Sequence, residues 1–225
     1  MEVVETDQNT KDSPGTAAGA GPRARNPRGQ GHRLRADLVQ AAKELLSDSG
    51  DPRELSLRAV AKRAGVAAPS IYRHFPDVDG IKVAVVQDCF ADLDHARAAA
   101  AEGIADPAKA LLARAHAYCH FGLEHPGHYR LMFGPDADLP ASLVYESADS
   151  PGRAAFESLV AGVRACQSAN LANTRTDPVE LATATWALEH GLVTLRLSRP
   201  HFPWPPLDNI LTSSLTQMLG LRSGQ

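Results

Sequence analysis

The amino-acid sequence predicts an all-α fold, and two features carry this prediction. Apolar residues recur every three to four positions through most of the chain after residue 33, which is the spacing of one helix face. An Asp or Ser followed by Pro precedes three such segments, at Asp106, Ser150 and Asp177. An Asp or Ser side chain binds the free amides at a helix start, and Pro is favoured at the first helical position. We find no convincing alternation of apolar and polar residues, which a half-buried strand would show.

The composition is that of a globular chain without a membrane segment. Of the 225 residues, 44% are apolar, which is enough to bury a core in one or two domains. No apolar run approaches the roughly 18 residues of a membrane-spanning helix, and the first residues lack the apolar centre of a signal peptide. The cysteines Cys89, Cys119 and Cys166 show no paired spacing, which suits a reducing compartment. We therefore expect a cytoplasmic protein.

Charge is unevenly distributed along the chain, although the net charge is only -3. Residues 22–82 contain 12 Lys and Arg against 7 Asp and Glu, whereas residues 83–225 contain 10 against 15. A basic segment followed by an acidic one indicates two parts with different partners.

The first 32 residues are rich in Gly, Pro, Ala, Thr and Ser, a composition typical of a disordered arm. The arginines of this arm that are candidates for DNA contact are Arg23, Arg25, Arg28 and Arg33. A basic arm can lie along DNA phosphates or enter a minor groove. The alternative, a solvated tail that aids solubility, stays open.

Four helices are predicted between residues 33 and 101, and five more in the remainder. Gly50, Gly65 and Pro76 are stop signals, and Ser56 is placed to cap the second helix. The expected ranges are about 34–50, 57–64, 68–75, 78–101, 107–124, 127–133, 151–169, 178–198 and 206–220, with a loop over residues 134–149.

The segment SLRAVAKRAGVAAPSIYRHF, residues 56–75, has the pattern of a helix-turn-helix. Gly65 supplies the left-handed turn between two closely packed helices. Ile71 and Phe75, four residues apart, anchor the second helix to the core. The outward face of that helix is polar, and small residues at its N-terminal end permit close approach to base edges in the major groove. Tyr72 and His74 can donate to phosphates.

Residues 33–81 resemble the N-terminal domain of the TetR family of bacterial regulators. The resemblance rests above all on the sequences Ala64-Gly65-Val66, Ile71-Tyr72 and His74-Phe75-Pro76. It implies a three-helix DNA-binding domain with nine candidates for DNA contact. These candidates are Ser56, Leu57, Arg58, Ala68, Pro69, Ser70, Tyr72, Arg73 and His74. Arg58 and Arg73 are the two among them that can bind guanine bidentately.

One position departs from the family pattern. The family usually has a phosphate-binding Lys three residues after the Phe, where this chain has Val78. One missing phosphate contact should lower the salt dependence of DNA binding by about one unit. The arginine-rich arm is a candidate to compensate.

Two later stretches, residues 118–133 and 186–191, resemble the WHG (Trp-His-Gly) subgroup of the same family. The resemblance implies that the C-terminal part binds a small-molecule effector and forms a homodimer. The candidate effector residues are Tyr118, Phe121, Met132, Phe133, Trp186 and His190. The alternative for each is simple core packing, and for His190 it is a hydrogen bond to a neighbouring helix carbonyl.

The helix at residues 178–198 is apolar on most sides, so it must be buried. Gly191 inside it costs about 1 kcal/mol relative to Ala, which suggests a close approach of two helices. Together with the last helix, it is expected to form a four-helix interface between two copies of the chain. The two-fold symmetry of such a dimer matches a palindromic operator.

His116 and His120 lie four residues apart with Glu124 one turn further on, a spacing that can hold a metal. Without a fourth partner the pattern is weak, so we predict a half-exposed helix face and no metal. The sequence has no Gly-rich phosphate loop, nucleophile elbow or HExxH motif. We therefore expect neither a cofactor nor an enzyme.

Taken together, the patterns predict a homodimeric, ligand-responsive repressor that binds double-stranded DNA at a palindromic operator and is released by an effector. Its expected parts are a disordered basic arm (1–32), the DNA-binding domain (33–81), a connecting helix (82–106) and an effector-binding and dimerisation domain (107–225). Two alternatives remain. One is an activator or a non-specific DNA-organising protein, and the other is a helical sensor whose DNA-binding domain is vestigial.

Overall fold

The computed structural model describes residues 31–134, Leu139 and residues 150–222, and all regular structure in these ranges is helical. The α-helices of the described residues are α1 (Gly31–Ser49), α2 (Leu57–Arg63), α3 (Ala68–Ile71), α4 (Val78–Ala100), α5 (Pro107–Glu124), α6 (Pro126–Phe133), α7 (Pro151–Ser168), α8 (Pro178–Ser198) and α9 (Leu207–Leu219), and a 3-10 helix covers Pro52–Glu54. The predicted all-α fold is confirmed. None of these helices is long and apolar enough to cross a bilayer.

Two helix boundaries in the DNA-binding part differ from the sequence prediction. α1 begins at Gly31, so that Arg33, which was expected in the arm, lies on a helix. α3 ends at Ile71 and not at Phe75, and the Pro that follows Phe75 disfavours helical backbone at Phe75 itself. The chain continues as a turn in which the amides of His74 and Phe75 both donate to the Ile71 carbonyl at 2.9 Å.

Arg23, Arg25 and Arg28 of the predicted arm lie outside the described residues, and so does most of the predicted loop over residues 134–149.

The helix starts show which of the predicted caps form. The Ser56 hydroxyl accepts a hydrogen bond from the amide of Ala59 at 3.2 Å. Asp106 and Asp177 bind the first free amides of α5 and α8 in the same way. The hydroxyl of Ser150 makes no hydrogen bond to the amides of α7. Of the three predicted start signals, the one at α7 therefore consists of its Pro alone.

A small apolar core holds α1, α2, α3 and the start of α4 together. Leu38, Val60, Ile71 and Ile81, one from each helix, have no exposed surface, and Phe75 is 2% exposed. Burying a side chain of this size stabilises the fold by about 1.5–3 kcal/mol. Helices as short as α2 and α3 are not stable alone, so this core is what keeps them folded.

We use the name C-terminal body for α5 to α9 together with the second half of α4, which packs against them. Its core includes Leu111, Val163 and Leu215, each at most 2% exposed. α4 is shared by both parts of the molecule, since Ile81 near its start lies in the N-terminal core and Leu93 lies in the C-terminal one.

Candidate DNA interface and effector cavity

The turn of the helix-turn-helix has the geometry that the sequence predicts. Gly65 has a φ of +67°, a left-handed backbone that a residue with a Cβ adopts only at a cost. The amide of Val66 donates to the carbonyl of Ala61 at 3.0 Å, which folds the chain back onto α2. Ile71 is then fully buried beneath α3. The opposite side of α3 is left facing solvent.

This solvent-facing side of α3 and of the turn after it carries six of the candidate DNA-binding residues. The exposed ones are Ala68, Pro69, Tyr72 and Arg73, and Ser70 and His74 are half-buried beside them. Tyr72 is 58% exposed although its ring is large and apolar. A tyrosine hydroxyl held in solvent on this face is well placed to donate to a phosphate.

On α2 the structure narrows the candidates. Leu57 is 7% exposed and belongs to the core, so that its side chain is not available to DNA. The hydroxyl of Ser56 is engaged as the cap of α2. Arg58 is exposed and is the candidate on this helix whose side chain can reach a partner.

The guanidinium groups of this region differ in whether they are already paired. Arg63 is bound to Asp48 on α1 at 2.5 Å and lies 3.6 Å from Glu44. Arg58 and Arg73, in contrast, are exposed and make no hydrogen bond or ion pair within the described part of the chain. These two side chains are therefore available for a phosphate or a base edge.

A narrow cavity lies in the C-terminal body, with a free volume of about 30 Å³, room for about two water molecules. Three of the predicted effector residues line it: Tyr118, Phe133 and Trp186. The lining residues that the sequence analysis missed are Phe90, Leu93 and Arg97 of α4, Gly152, Ala155, Phe156 and Leu159 of α7, and Glu189 of α8. Aromatic walls with a few polar groups are typical of a small-molecule site.

The other predicted effector residues lie elsewhere. Phe121 and Met132 are 6% and 3% exposed and pack in the core, which is the alternative considered for them. His190 lines a second, more open cavity together with Tyr129 and Phe133. Phe133 belongs to both cavities and therefore stands between them.

A chain of hydrogen bonds connects the two cavities. The indole nitrogen of Trp186 donates to the hydroxyl of Tyr118 at 3.3 Å. The hydroxyls of Tyr118 and Tyr129 are 3.0 Å apart, and that of Tyr129 lies 2.7 Å from Nδ1 of His190. Every group is satisfied if each hydroxyl donates to the next group and Nδ1 accepts. Burial lowers the pKa of His190, which favours the neutral ring, and a proton on Nε2 then leaves Nδ1 free to accept.

His190 therefore bonds a tyrosine hydroxyl, and not the helix carbonyl that the sequence alternative proposed. Tyr129, which the sequence analysis did not place in a site, is the residue that links the two cavities.

Glu189 is the most deeply buried acid of the structure's described residues, at 3% exposed, and its carboxyl has no hydrogen-bond partner among them. Burial raises the pKa of Glu189 to about 8, although the charge of Arg97 opposes the shift. Burial thus favours the protonated, neutral form of this carboxyl. Arg97 is 7% exposed and donates to the carbonyl of Ala155 at 3.4 Å. The cavity therefore contains two polar groups that a ligand can bond.

α6 packs on the DNA-binding part at one end and reaches the cavity at the other. The ring of His128 donates from Nε2 to the carbonyl of Lys43 on α1 at 2.9 Å. Gly127 lies so close to α1 that a Cβ at this position would overlap the carbonyl of Leu46. Phe133, at the end of the same short helix, lines the cavity. Two helices, α4 and α6, thus connect the cavity to the helix-turn-helix.

Comparison with known protein families assigns both parts of the chain. Residues 38–85 match the family described as bacterial regulatory proteins, tetR family, and residues 111–219 match the tetracyclin repressor-like C-terminal domain. The chain belongs to the TetR family. It is a DNA-binding transcription regulator and not an enzyme. The WHG subgroup within the family stays a prediction.

Solved structures with a similar fold include the following three. A protein of unknown function from Rhodococcus sp. RHA1 is 28% identical, with a TM-score of 0.71 over 90% of this chain and 99% of that one. The fatty acid degradation regulator FadR from Bacillus halodurans is 11% identical, with a TM-score of 0.66 over 87% and 97%. The SmeT–triclosan complex is 17% identical, with a TM-score of 0.64 over 85% and 93%. The last two show likeness of fold alone.

The start of α4 departs from the pattern that the TetR resemblance implies. Val78, where the family pattern has a Lys, is half-buried and packs on the apolar core. Asp77 before it caps α4 by accepting from the amide of Gly80 at 2.7 Å. Lys82 is only 8% exposed and lies 3.9 Å from Asp79. The start of α4 therefore presents a carboxylate to solvent, with the nearest lysine buried.

Proposed function

We propose that this TetR-family regulator is a homodimeric repressor that leaves a palindromic operator when a small molecule enters the cavity. The proposal rests on α4, which packs in both the DNA-binding part and the C-terminal body. Phe90 and Leu93 form part of the cavity wall, and Ile81, three turns earlier on the same helix, packs under the helix-turn-helix. A ligand that displaces the cavity wall therefore shifts the base on which α3 rests. Such a ligand acts through its higher affinity for the shifted state.

The roles proposed for the parts of the chain are those that the sequence predicts. We assign residues 33–81 to DNA binding, residues 82–106 to the connection, and residues 107–225 to effector binding and dimerisation. The protein acts in the cytoplasm, since the DNA of a bacterial cell lies there.

The proposed dimer uses α8 and α9, with a second copy of the chain as the partner. Leu195 on α8 is 49% exposed, which is unusual for an apolar residue in a long helix. A Cβ added at Gly191, one turn earlier, would meet nothing within 4 Å among the described residues, so no contact within the described part of the chain explains a glycine there. Ile210 and Met218 on α9 are only partly buried. A close approach of the partner's α8 accounts for the glycine and covers the apolar side chains.

The proposed DNA contacts are those of the exposed face described above. Arg58 and Arg73 are assigned to base edges or phosphates, and Tyr72 and His74 to phosphates. Ala68 and Pro69 are assigned to the close approach of α3 to the major groove. The two-fold axis of the dimer then sets the spacing of the operator half-sites to one helical turn or a multiple of it.

The proposed effector is a compound with at least one aromatic ring and one hydrogen-bonding group. The aromatic walls favour the ring, and Glu189 and Arg97 offer the polar partners. SmeT, which has a similar fold, forms a complex with triclosan. Because the free volume is about 30 Å³, binding requires that side chains such as Phe133 move outward. This requirement is what couples entry of the ligand to α6 and α4.

The deciding experiment selects bound sequences from random DNA with the full-length chain and then titrates candidate aromatic compounds against the selected site. We expect a palindrome, a dimer on DNA by light scattering, and loss of affinity when the effector is added. Binding without a preferred sequence would identify a DNA-organising protein. The absence of salt-dependent DNA binding would identify a sensor with a vestigial DNA-binding domain. A saturating effector that leaves operator affinity unchanged would refute release by ligand.

A further inference from the structure

A second polar cluster lies on the C-terminal body, away from both cavities, where α5 packs against α9. His116 and His120, on α5, both face Asp208 in the first turn of α9. Nδ1 of His116 lies 2.9 Å from Oδ1 of Asp208, and Nε2 of His120 lies 3.1 Å from the same oxygen. One carboxylate oxygen therefore meets two imidazole nitrogens from a neighbouring helix.

The sequence analysis paired the two histidines with Glu124 and found too few partners for a metal. The fold supplies a different third group, because Asp208 is 88 residues away from His120 in sequence. One ligand atom from each of the three side chains lies within 4.8 Å of the others. With Asp208 as the third ligand, the cluster consists of two histidines and one carboxylate, which is a donor set that a transition metal prefers.

The two separations between Asp208 and the histidine nitrogens are close to those in a metal site. In a tetrahedral site with metal–nitrogen distances of about 2.0–2.1 Å, neighbouring ligand atoms are about 3.3 Å apart. The measured separations of 2.9 and 3.1 Å differ from this by a few tenths of an ångström. Asp208 and His120 are 61% and 48% exposed at the side chain, so small rotations are available to both. Their exposure also leaves room for water as a fourth ligand.

The surroundings of His116 orient it as a ligand. Its Nε2 lies 2.8 Å from the hydroxyl oxygen of Thr212, one turn along α9 from Asp208. When an ion is bound, Nε2–H donates to that oxygen and the lone pair of Nδ1 is available to the metal. A histidine that ligates a metal through one nitrogen usually donates its other N–H to such a partner.

We propose that His116, His120 and Asp208 bind one divalent transition-metal ion of the Zn²⁺ class and thereby clamp α5 to α9. Nitrogen and carboxylate donors in this number suit Zn²⁺ or Co²⁺, whereas Mg²⁺ and Ca²⁺ require more oxygen ligands. The clamp holds the helix that carries Tyr118 of the effector cavity to the last helix of the body. The proposal does not depend on release from the operator, because it concerns binding by the free protein.

The test uses the full chain without an affinity tag, in the absence of DNA. Co²⁺ is titrated in and followed by its visible absorption, and Zn²⁺ binding is measured by calorimetry and by thermal unfolding. We expect one ion per chain, a d–d spectrum of four-coordinate Co²⁺, and a higher unfolding temperature with Zn²⁺. His120→Gln and Asp208→Asn should abolish the spectrum, and Thr212→Val should weaken affinity by roughly tenfold.

Two matched variants control for other surface groups. Glu124→Gln removes the acid that the sequence pattern suggested, and His201→Gln removes an exposed histidine outside the cluster; both should bind as the wild type does. Asp208 and His120 are exposed, so their variants are expected to fold, and circular dichroism verifies this. The proposal is overturned if no saturable binding occurs at micromolar concentration, or if Asp208→Asn and His120→Gln retain it. A simple His–Asp ion pair would give the first of these results.

Discussion

On the helix-turn-helix, the guanidinium groups of Arg58 and Arg73 face solvent, whereas in the C-terminal body Glu189 and Arg97 are buried beside an aromatic cavity. Exposed cations keep their charge and offer it to a partner that carries one charge per phosphate. Burial disfavours the charged form of a carboxyl, and it raises the pKa of Glu189 to about 8. The two regions therefore suit the different partners proposed for them, a polyanion on one side and a largely apolar molecule on the other.

The two regions also differ in how firmly they are held. The face of α3 rests on side chains with almost no exposed surface, such as Ile71 and Phe75. Part of the cavity wall is less firmly packed, since Phe133, Phe156 and Trp186 are only partly buried. A firmly packed base under α3 and a less firmly packed cavity wall fit the proposed control of DNA binding by a ligand.

The largest expected effect concerns the pH dependence of stability caused by Glu189. Its pKa in the folded chain is raised, so between about pH 5 and pH 8 the folded state holds a proton that the unfolded state has lost. The free energy of unfolding therefore falls as pH rises through this window, by at most about 1.4 kcal/mol per unit. Glu189→Gln cannot ionise and should remove this slope, as measured by urea unfolding at several pH values.

The difference between variant and wild type isolates this group from the buried histidines. Burial lowers the pKa of His128 and of His190, so those residues weaken the fold as pH falls below about 6.5. Glu180→Gln, on the exposed side of the same helix, is the matched control. Equal slopes for wild type and Glu189→Gln would show that the buried carboxyl is not what sets the pH dependence.

A second large effect is expected at the contact between α6 and α1. Gly127→Ala places a Cβ against the carbonyl of Leu46, and forced overpacking of this kind costs about 1–3 kcal/mol. Ser158→Ala, at an exposed position of α7, is the control. Urea unfolding of the two variants measures the difference in the free energy of unfolding. If Gly127→Ala is as stable as Ser158→Ala, the tight approach of α6 to α1 does not hold in solution.

The contrast between the regions also explains how far sequence reasoning reached. The helix-turn-helix is contiguous, so Ser56, Gly65 and Ile71 could be assigned by local capping, turn and spacing rules, and the structure agrees. Leu57 shows the limit, since a family motif does not tell which residues of the motif are buried.

The cavity could be predicted only in part, because its walls come from helices far apart in sequence. Arg97 and Glu189 meet there although almost a hundred residues separate them, and no local pattern records that meeting. A single signal was present for Glu189, an acid inside a helix that is apolar on most sides. The same holds at the proposed metal site, because His120 and Asp208 lie 88 residues apart in sequence.

An effect of intermediate size is expected from Arg58→Ala. Loss of a bidentate guanine contact costs about 1–3 kcal/mol, and it should weaken operator binding more than binding to random DNA. Arg53→Ala is the control, because Arg53 is exposed nearby but is already bound to Asp51 at 2.7 Å. Fluorescence anisotropy on both DNAs measures the two losses. Equal losses on operator and random DNA would assign Arg58 to a phosphate.

The smallest expected effect concerns the start of α4. Val78→Lys restores the phosphate ligand that the family pattern has, and the slope of log affinity against log salt should steepen by about one unit. The lysine lies in the first turn of a helix, where a cation is disfavoured by about 0.3–1 kcal/mol, so a small loss of stability accompanies the change. Deletion of residues 1–30 complements the experiment. If the arm replaces the missing phosphate contact, its deletion should flatten the salt slope of the wild type and affect that of Val78→Lys less. An unchanged salt slope after deletion would show that the arm is not part of the DNA interface.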